Sequence, residues 1–206
     1  MTDSPLLPPG RLADQVRFLL EVDALKTVER RTRLTDGSRL ENSAEHSWHA
    51  ALFALVLAEH APPGVDLARV IAMLLVHDVV EVDAGDVSAY DEAGRLASVE
   101  RERLAADRLF GLLPPDQGAA LRALWEEFEA RDTPESRFAH AMDRLSPILL
   151  GHAGQGRSWL AEGITATQVR ARNAGVGEVS SALGEVVQAV VRDSVARGWL
   201  SRDGEP

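Results

Sequence analysis

The sequence predicts an all-α fold in a single domain, and three observations carry that prediction. Hydrophobic residues fill 45% of the 206 positions while aromatics fill only 5%, so the core must be built from Leu, Val and Ala, of which Leu and Ala are strong helix formers. Apolar residues recur at helical spacing along most of the chain, and no Val/Ile/Thr alternation argues for a sheet. Pro, Gly and capping residues fall between the periodic stretches, where helix boundaries require them.

Taken in order, Pro5, Pro8, Pro9 and Gly10 make residues 1–10 a flexible lead-in. The single domain follows over 11–200, and 201–206 is left as a tail. Leu12, Val16, Leu19, Leu20 and Val22 place an amphipathic helix over 11–26. Residues 30–42, RRTRLTDGSRLEN, read as a loop around the Asp36-Gly37 turn. Ser43 caps a helix over about 44–60, APPGVD stops it, and Asp66 caps the next helix over about 67–80. Gly85 then breaks the chain. A helix over about 91–111 follows, its Glu and Arg residues reading as a solvated face. LLPPD punctuates 112–116, 117–130 is helical, and Thr133-Pro134 starts a helix through about 151. A polar, Gly-bearing connection with room for one short helix covers about 151–177, and 178–197 closes as a helix. Trp48 and Trp125 read as core aromatics.

The bulk numbers exclude several function classes. A formal net charge of -10 argues against a nucleic-acid polymer or an anionic membrane as partner. The absence of cysteine removes disulfides, thiolate metal sites and cysteine nucleophiles. The N-terminus has neither a basic start nor a long apolar run, and no segment approaches the roughly 18–20 apolar residues of a membrane span. A soluble, cytoplasmic protein is expected. Against the acidic background, Lys26, Arg30, Arg31, Arg33 and Arg39 concentrate positive charge, and guanidinium forks suit phosphate oxygens.

One stretch does not read as ordinary core. In LLVHDVVEVDAGD, residues 74–86, an apolar run leads straight into His77 and Asp78, with Glu81, Asp83 and Asp86 behind them. A buried carboxylate without a partner costs several kcal/mol, and a divalent cation would supply the missing counter-charge. The helices over 44–60 and 67–80 are joined by a short loop and should pack antiparallel. His46 lies about 21 Å from that loop and His77 about 15 Å, at 1.5 Å of rise per residue, so His46 and the His77-Asp78 pair can meet. Glu81, three and four residues on, shares their face and can orient or deprotonate a water. Asp143, set among Phe138, Met142, Leu145 and Ile148, is the best candidate for a fourth ligand. Imidazole and carboxylate together accept Mn, Co, Fe, Ni, Zn or Mg.

His46, the HD dipeptide at 77–78 and the distant Asp143 resemble the H…HD…D signature of the HD-domain metal-dependent phosphohydrolases. LENSAEHSWHAAL, LLVHDVVEVDAGD and WEEFEARDTPESRFAHAMDRL resemble the branch that holds bacterial 5′-deoxynucleotidases and the eukaryotic HD-domain-containing protein 2. The likeness covers about residues 17–150, with a metal core over about 26–150. It implies an HD-domain helical bundle in which His46, His77, Asp78 and Asp143 hold one divalent metal. Glu81 and Asp86 would then shape the catalytic side of the site, and Arg30 would grip the substrate phosphate, with Arg31 beside it. In the deoxynucleotidases an aromatic residue follows that arginine, whereas this chain has Arg31, which puts the sugar preference in question.

The expected activity is release of phosphate from nucleoside or deoxynucleoside 5′-monophosphates by attack of a metal-bound water. A nucleotide is the expected small-molecule partner, and the resemblance implies a homodimer. Two other readings use the same residues: an HD-type phosphodiesterase or alarmone hydrolase, and a non-catalytic metal- or nucleotide-binding module. Glu81 speaks against the second, because a binder has no use for a water-positioning carboxylate.

Overall fold

Phe138, Met142 and Leu145 recur at helical spacing and are buried, so the helix that carries them must run through the core with neighbours on several sides. In the computed structural model, which describes residues 7–201, that helix is Pro134–Ala153. Thr133 and Ser136 close a reciprocal capping box at its start, and Pro134 occupies the first turn, where its missing N–H costs nothing.

The elements before it are α1 (Arg11–Val22), a 3-10 turn at Asp23–Thr27, strands β1 (Glu29–Arg33) and β2 (Leu40–Asn42), and helices α2 (Ser43–Val56), α3 (Leu67–Val76) and α4 (Glu81–Ala84). Next come α5 (Glu92–Phe110), α6 (Pro115–Ala130) and the central helix as α7. After it follow α8 (Arg157–Glu162), α9 (Ala166–Val179) and α10 (Ser181–Ala196). Helices α2, α3, α6, α9 and α10 all pack on α7. One apolar cluster fills the space among α2, α3, α7, α9 and α10. A second joins Phe18, Leu109, Phe110 and Trp125 to Val76, Val79 and Val80. Ala50 and Ala54, fully buried one turn apart, let α2 lie close against its neighbours, and His46 continues the same face. No helix among the described residues is long and apolar enough to cross a membrane.

The all-α expectation holds, with corrections that bear on the site. The stretch read as a loop over 30–42 contains an antiparallel hairpin pairing Glu29 with Asn42 and Arg33 with Leu40 around a bulge. The first helix stops at Val22 and continues as the 3-10 turn. Asn42, not Ser43, caps α2, in a capping box with Glu45. Asp66 caps α3 as expected, but α3 ends at Val76, and His77 begins a tight helical turn rather than extending the helix. The connection after 151 is mostly helix, because Thr165 and Gln168 form a third capping box that starts α9. Trp48 is 61% exposed rather than core, while Trp125 is buried. Of the expected lead-in over 1–10 and tail over 201–206, residues 1–6 and 202–206 lie outside the described residues.

Helices α9 and α10 meet at Gly177 and Gly184 with their backbones nearly touching. A Cβ on Gly184 would lie 2.7 Å from Gly177 Cα, whereas a Cβ on Gly177 would meet Gly184 Cα at an ordinary 3.6 Å. The two glycines should therefore respond with opposite signs. Gly184→Ala should destabilise the chain by about 1–3 kcal/mol through overpacking. Gly177→Ala should leave it unchanged or stabilise it by up to about 1 kcal/mol through helix propensity. Urea unfolding of both variants checks this, and equal losses would show that the crossing is not set by the glycine contact.

Candidate metal centre

The local sequence aims each polar group inward for a separate reason. Asn42 fixes the start of α2, which sets His46 on its buried face. The His77 N–H still bonds to Met73 O at 2.8 Å, so the turn holds His77 and Asp78 at the end of α3. Asp143 sits at mid-length in α7, one helical turn from buried Ala139. Strand β1 alternates, so Arg30 turns inward between exposed Glu29 and Arg31.

These residues converge. His46 Nε2 lies 2.9 Å from Asp143 Oδ1, and His77 Nε2 lies 3.7 Å from that same oxygen. One ligating atom from each of His46, His77 and Asp143 falls within 4.8 Å of the others. Asp78 joins from the His77 side, its Oδ1 3.0 Å from His77 Nε2, while its Oδ2 accepts a 2.8 Å bond from Arg30 Nη1. The same Nη1 is 3.6 Å from Asp86 Oδ1 and 3.8 Å from Glu81 Oε1. Glu81 accepts from Ser43 Oγ through its other oxygen. Arg31 is exposed at the rim of the same cleft. Of the remaining basic residues, Arg39 pairs with Glu45 at the surface, away from the centre.

Protonation follows from these contacts. His77 Nδ1 donates to Leu74 O at 2.8 Å, which fixes the tautomer and leaves Nε2, buried and without a hydrogen-bond partner, facing the carboxylates. Burial disfavours the charged ring, but Asp78 and Asp143 outweigh it and push His77 up to about 9. His46 is also raised, by Asp143 and Glu41 against burial and Arg30. Against its own burial, Asp143 is held well below the usual carboxylate range by the two imidazoles. Burial, then Asp78, pushes Glu81 well above that range. Burial likewise raises Asp86, with Arg30 opposing. Two imidazole nitrogens and carboxylate oxygens at these separations fit a divalent cation.

Sequence reasoning missed parts of the site. Glu41 is only 2% exposed, and its Oε2 lies 3.6 Å from His46 Nδ1, placing a carboxylate behind the imidazole as in many metal–histidine pairs. The EN before His46 carried that signal, but a short strand could not be read there. His140 is buried and stacked on Phe128, with Nε2 bonded to Phe128 O at 2.7 Å. Burial pushes it down to about 3, so it is a neutral packing residue. His49 packs between Trp48 and Phe53, apart from the centre. The centre opens into a cleft of about 510 Å³ whose far walls come from α5, α8 and α9. Part of the face read as solvated on α5, including Arg95 and Glu102, lines that cleft.

Comparison with known proteins points the same way. The family profile described as HD domain matches residues 22–183. The 5′-deoxynucleotidase HDDC2 of Mus musculus is 30% identical over 145 residues, covering 70% of this chain and 71% of the mouse protein. A solved structure, the predicted metal-dependent phosphohydrolase from Magnetospirillum magnetotacticum MS-1, superposes with a TM-score of 0.89 at 50% identity. That match covers 93% of this chain and 96% of the other. An HD-domain phosphohydrolase from Listeria innocua, at 17% identity and a TM-score of 0.67 over 88% of this chain and 90% of its own, shares the fold.

In the metal-free chain His77, pushed up to about 9, carries a proton at neutral pH that a cation must displace. Cation affinity should therefore rise with pH toward about 9, and fall by about tenfold per pH unit below it for one displaced proton. Calorimetric titration with Mn²⁺ in buffers of differing ionisation enthalpy measures the proton release. An affinity independent of pH over that window would mean that the imidazole is already neutral.

Proposed function

The chain belongs to the HD-domain family and is a phosphohydrolase; on that premise we propose that it removes phosphate from nucleoside 5′-monophosphates at a single divalent metal. The observation that carries this reading is the unpartnered His77 Nε2, held beside Asp78 and Asp143 at the inner end of a cleft that also presents Arg30. His46, His77, Asp78 and Asp143 hold the cation, with Glu41 orienting His46. When bound, a divalent metal lowers the pKa of an attacking water and polarises a phosphoryl oxygen.

The remaining steps belong to the protein. Arg30, whose charge the surrounding carboxylates stabilise, offers its remaining N–H groups to the phosphate and offsets the charge that builds up there. Ser43 holds one oxygen of Glu81, leaving Oε1 free to take the proton of the water as its oxygen bonds to phosphorus. The bond from phosphorus to O5′ breaks, and a proton passes to O5′, giving the nucleoside and inorganic phosphate. A cleft of about 510 Å³ lies within the usual range for a ligand of this size. Arg31 is an exposed flexible chain at the rim and sets no wall against a ribose hydroxyl, so ribo and deoxyribo substrates are both accepted. The chain works as a cytoplasmic homodimer. Support for the dimer comes from Trp48, Leu55 and Val56 on α2 and Leu75 on α3, large apolar side chains left exposed.

Metal-stripped chain resupplied with Mg, Mn, Co or Zn should release phosphate from 5′-monophosphates. Asp78→Ala should abolish release with helical content retained, and Glu81→Gln should lower kcat by about 10²–10⁴-fold. Undiminished turnover in Asp78→Ala would overturn the metal assignment. The ratio of kcat/KM between deoxy and ribo substrates should stay below about tenfold; a larger preference for the deoxy form would mean that something other than residue 31 reads the sugar. Light scattering across a dilution series should give twice the chain mass, and a monomer throughout would remove the homodimer.

A further inference from the structure

Beyond the metal centre the cleft ends among arginines. Arg95 on α5, Arg131 after α6, Arg144 on α7 and Arg172 on α9 line its far half, brought there by separate elements. Among the described residues, no carboxylate comes within 4.0 Å of the Arg131, Arg144 or Arg172 guanidinium. Arg11, Arg39, Arg69, Arg108 and Arg122, by contrast, each pair with a nearby acid, in a chain that carries 32 acidic residues against 22 basic ones. Glu102, Glu129 and Glu162 share this half of the cleft without closing on the arginines, and Glu162 accepts from Ser88 Oγ instead.

Arg144 shows the imbalance most directly. Its Nε is buried with no hydrogen-bond partner, and Arg172 and Arg131 lie near enough to add like charge. Its Nη1 lies against α9 at Gly175, where an added Cβ would approach to 3.4 Å. A buried guanidinium donor left open, beside like charges from other elements, is costly unless an anion answers it. Arg144 also follows Asp143 directly in α7, which sets this donor on the order of 10 Å or less from the metal centre, given a Cα spacing of 3.8 Å and the reach of an arginine.

We propose that the Arg131–Arg144–Arg172 end of the cleft binds a second phosphate on the substrate, so that the preferred substrate class is a nucleotide with a further phosphomonoester, such as a nucleoside 3′,5′-bisphosphate. This rests on the reading of the metal centre as a 5′-phosphomonoesterase. Water oxygen bonds to the 5′ phosphorus, the bond from that phosphorus to O5′ breaks, a proton ends on O5′, and the second phosphate leaves unchanged on the nucleoside product. Planar guanidinium forks from several directions suit a dianion with three free oxygens.

Two measurements separate this inference from the activity itself. The first is equilibrium binding of a nucleoside 3′,5′-bisphosphate and of the matching 5′-monophosphate to the full chain under chelation, where no turnover occurs. The bisphosphate should bind at least about tenfold more tightly, the effect of one good charge-assisted bond. That ratio should fall to about one in Arg144→Gln and, on a different helix, in Arg172→Gln. Equal binding of the two nucleotides by the unaltered chain, or a ratio kept in both variants, overturns the second site. A sulfate effect on monophosphate binding that needs Arg144, with no bisphosphate advantage, would assign the arginines to a free anion and also overturn it. The second measurement is phosphate release from the monophosphate by the metal-loaded chain, which tests the phosphomonoesterase reading and leaves the binding ratio untouched.

Discussion

The structure turns on keeping carboxylates out of water without leaving them uncompensated. Glu41, Asp78 and Asp143 are buried, and Glu81 and Asp86 lie beside them around Arg30, His46 and His77. Isolated, any of these charges would cost several kcal/mol. Together they form a network in which each side chain has an opposite charge or a hydrogen-bond partner within reach, and a divalent cation fits the set that remains. The fold is arranged to make that possible. The capping box at Asn42 fixes His46, the turn after Val76 fixes His77 and Asp78, and α7 carries Asp143 through the middle. The hairpin exists to bring Arg30 and Glu41 in from the side.

Much of this was legible because buried charged groups leave a pattern that packing does not. His77 and Asp78 interrupt an apolar run, and Asp143 stands where a structural helix prefers Leu, so the three were readable before any geometry was known. Packing helices antiparallel then brings His46 to the end of α3. The hairpin was not legible, because its inward position on β1 is occupied by Arg30 rather than by an apolar residue. Alternation written in charge carries no hydrophobic period, and RRTR reads as a solvated loop. Trp48 misled for the opposite reason, since a large aromatic on a helix reads as core whichever face it is on.

The last third of the chain was hardest to read. WLAEGITATQVRARN mixes polar and apolar residues without a clean stripe, because α9 packs on α7 and α10 with one side and lines the cleft with the other. Its glycines, Gly175 beside Arg144 and Gly177 against α10, lower its helical signal further. The capping box at Thr165 and Gln168 was present in the sequence, but a cap alone does not establish the helix that follows it.

The adjacency of Asp143 and Arg144 has a geometric meaning of its own. Each end of the cleft takes one residue from α7, while His46, His77, Arg131 and Arg172 come from other elements. A shift of α7 that moves the backbone of Asp143 must therefore carry that of Arg144 with it, so the two ends are joined through a single rigid helix.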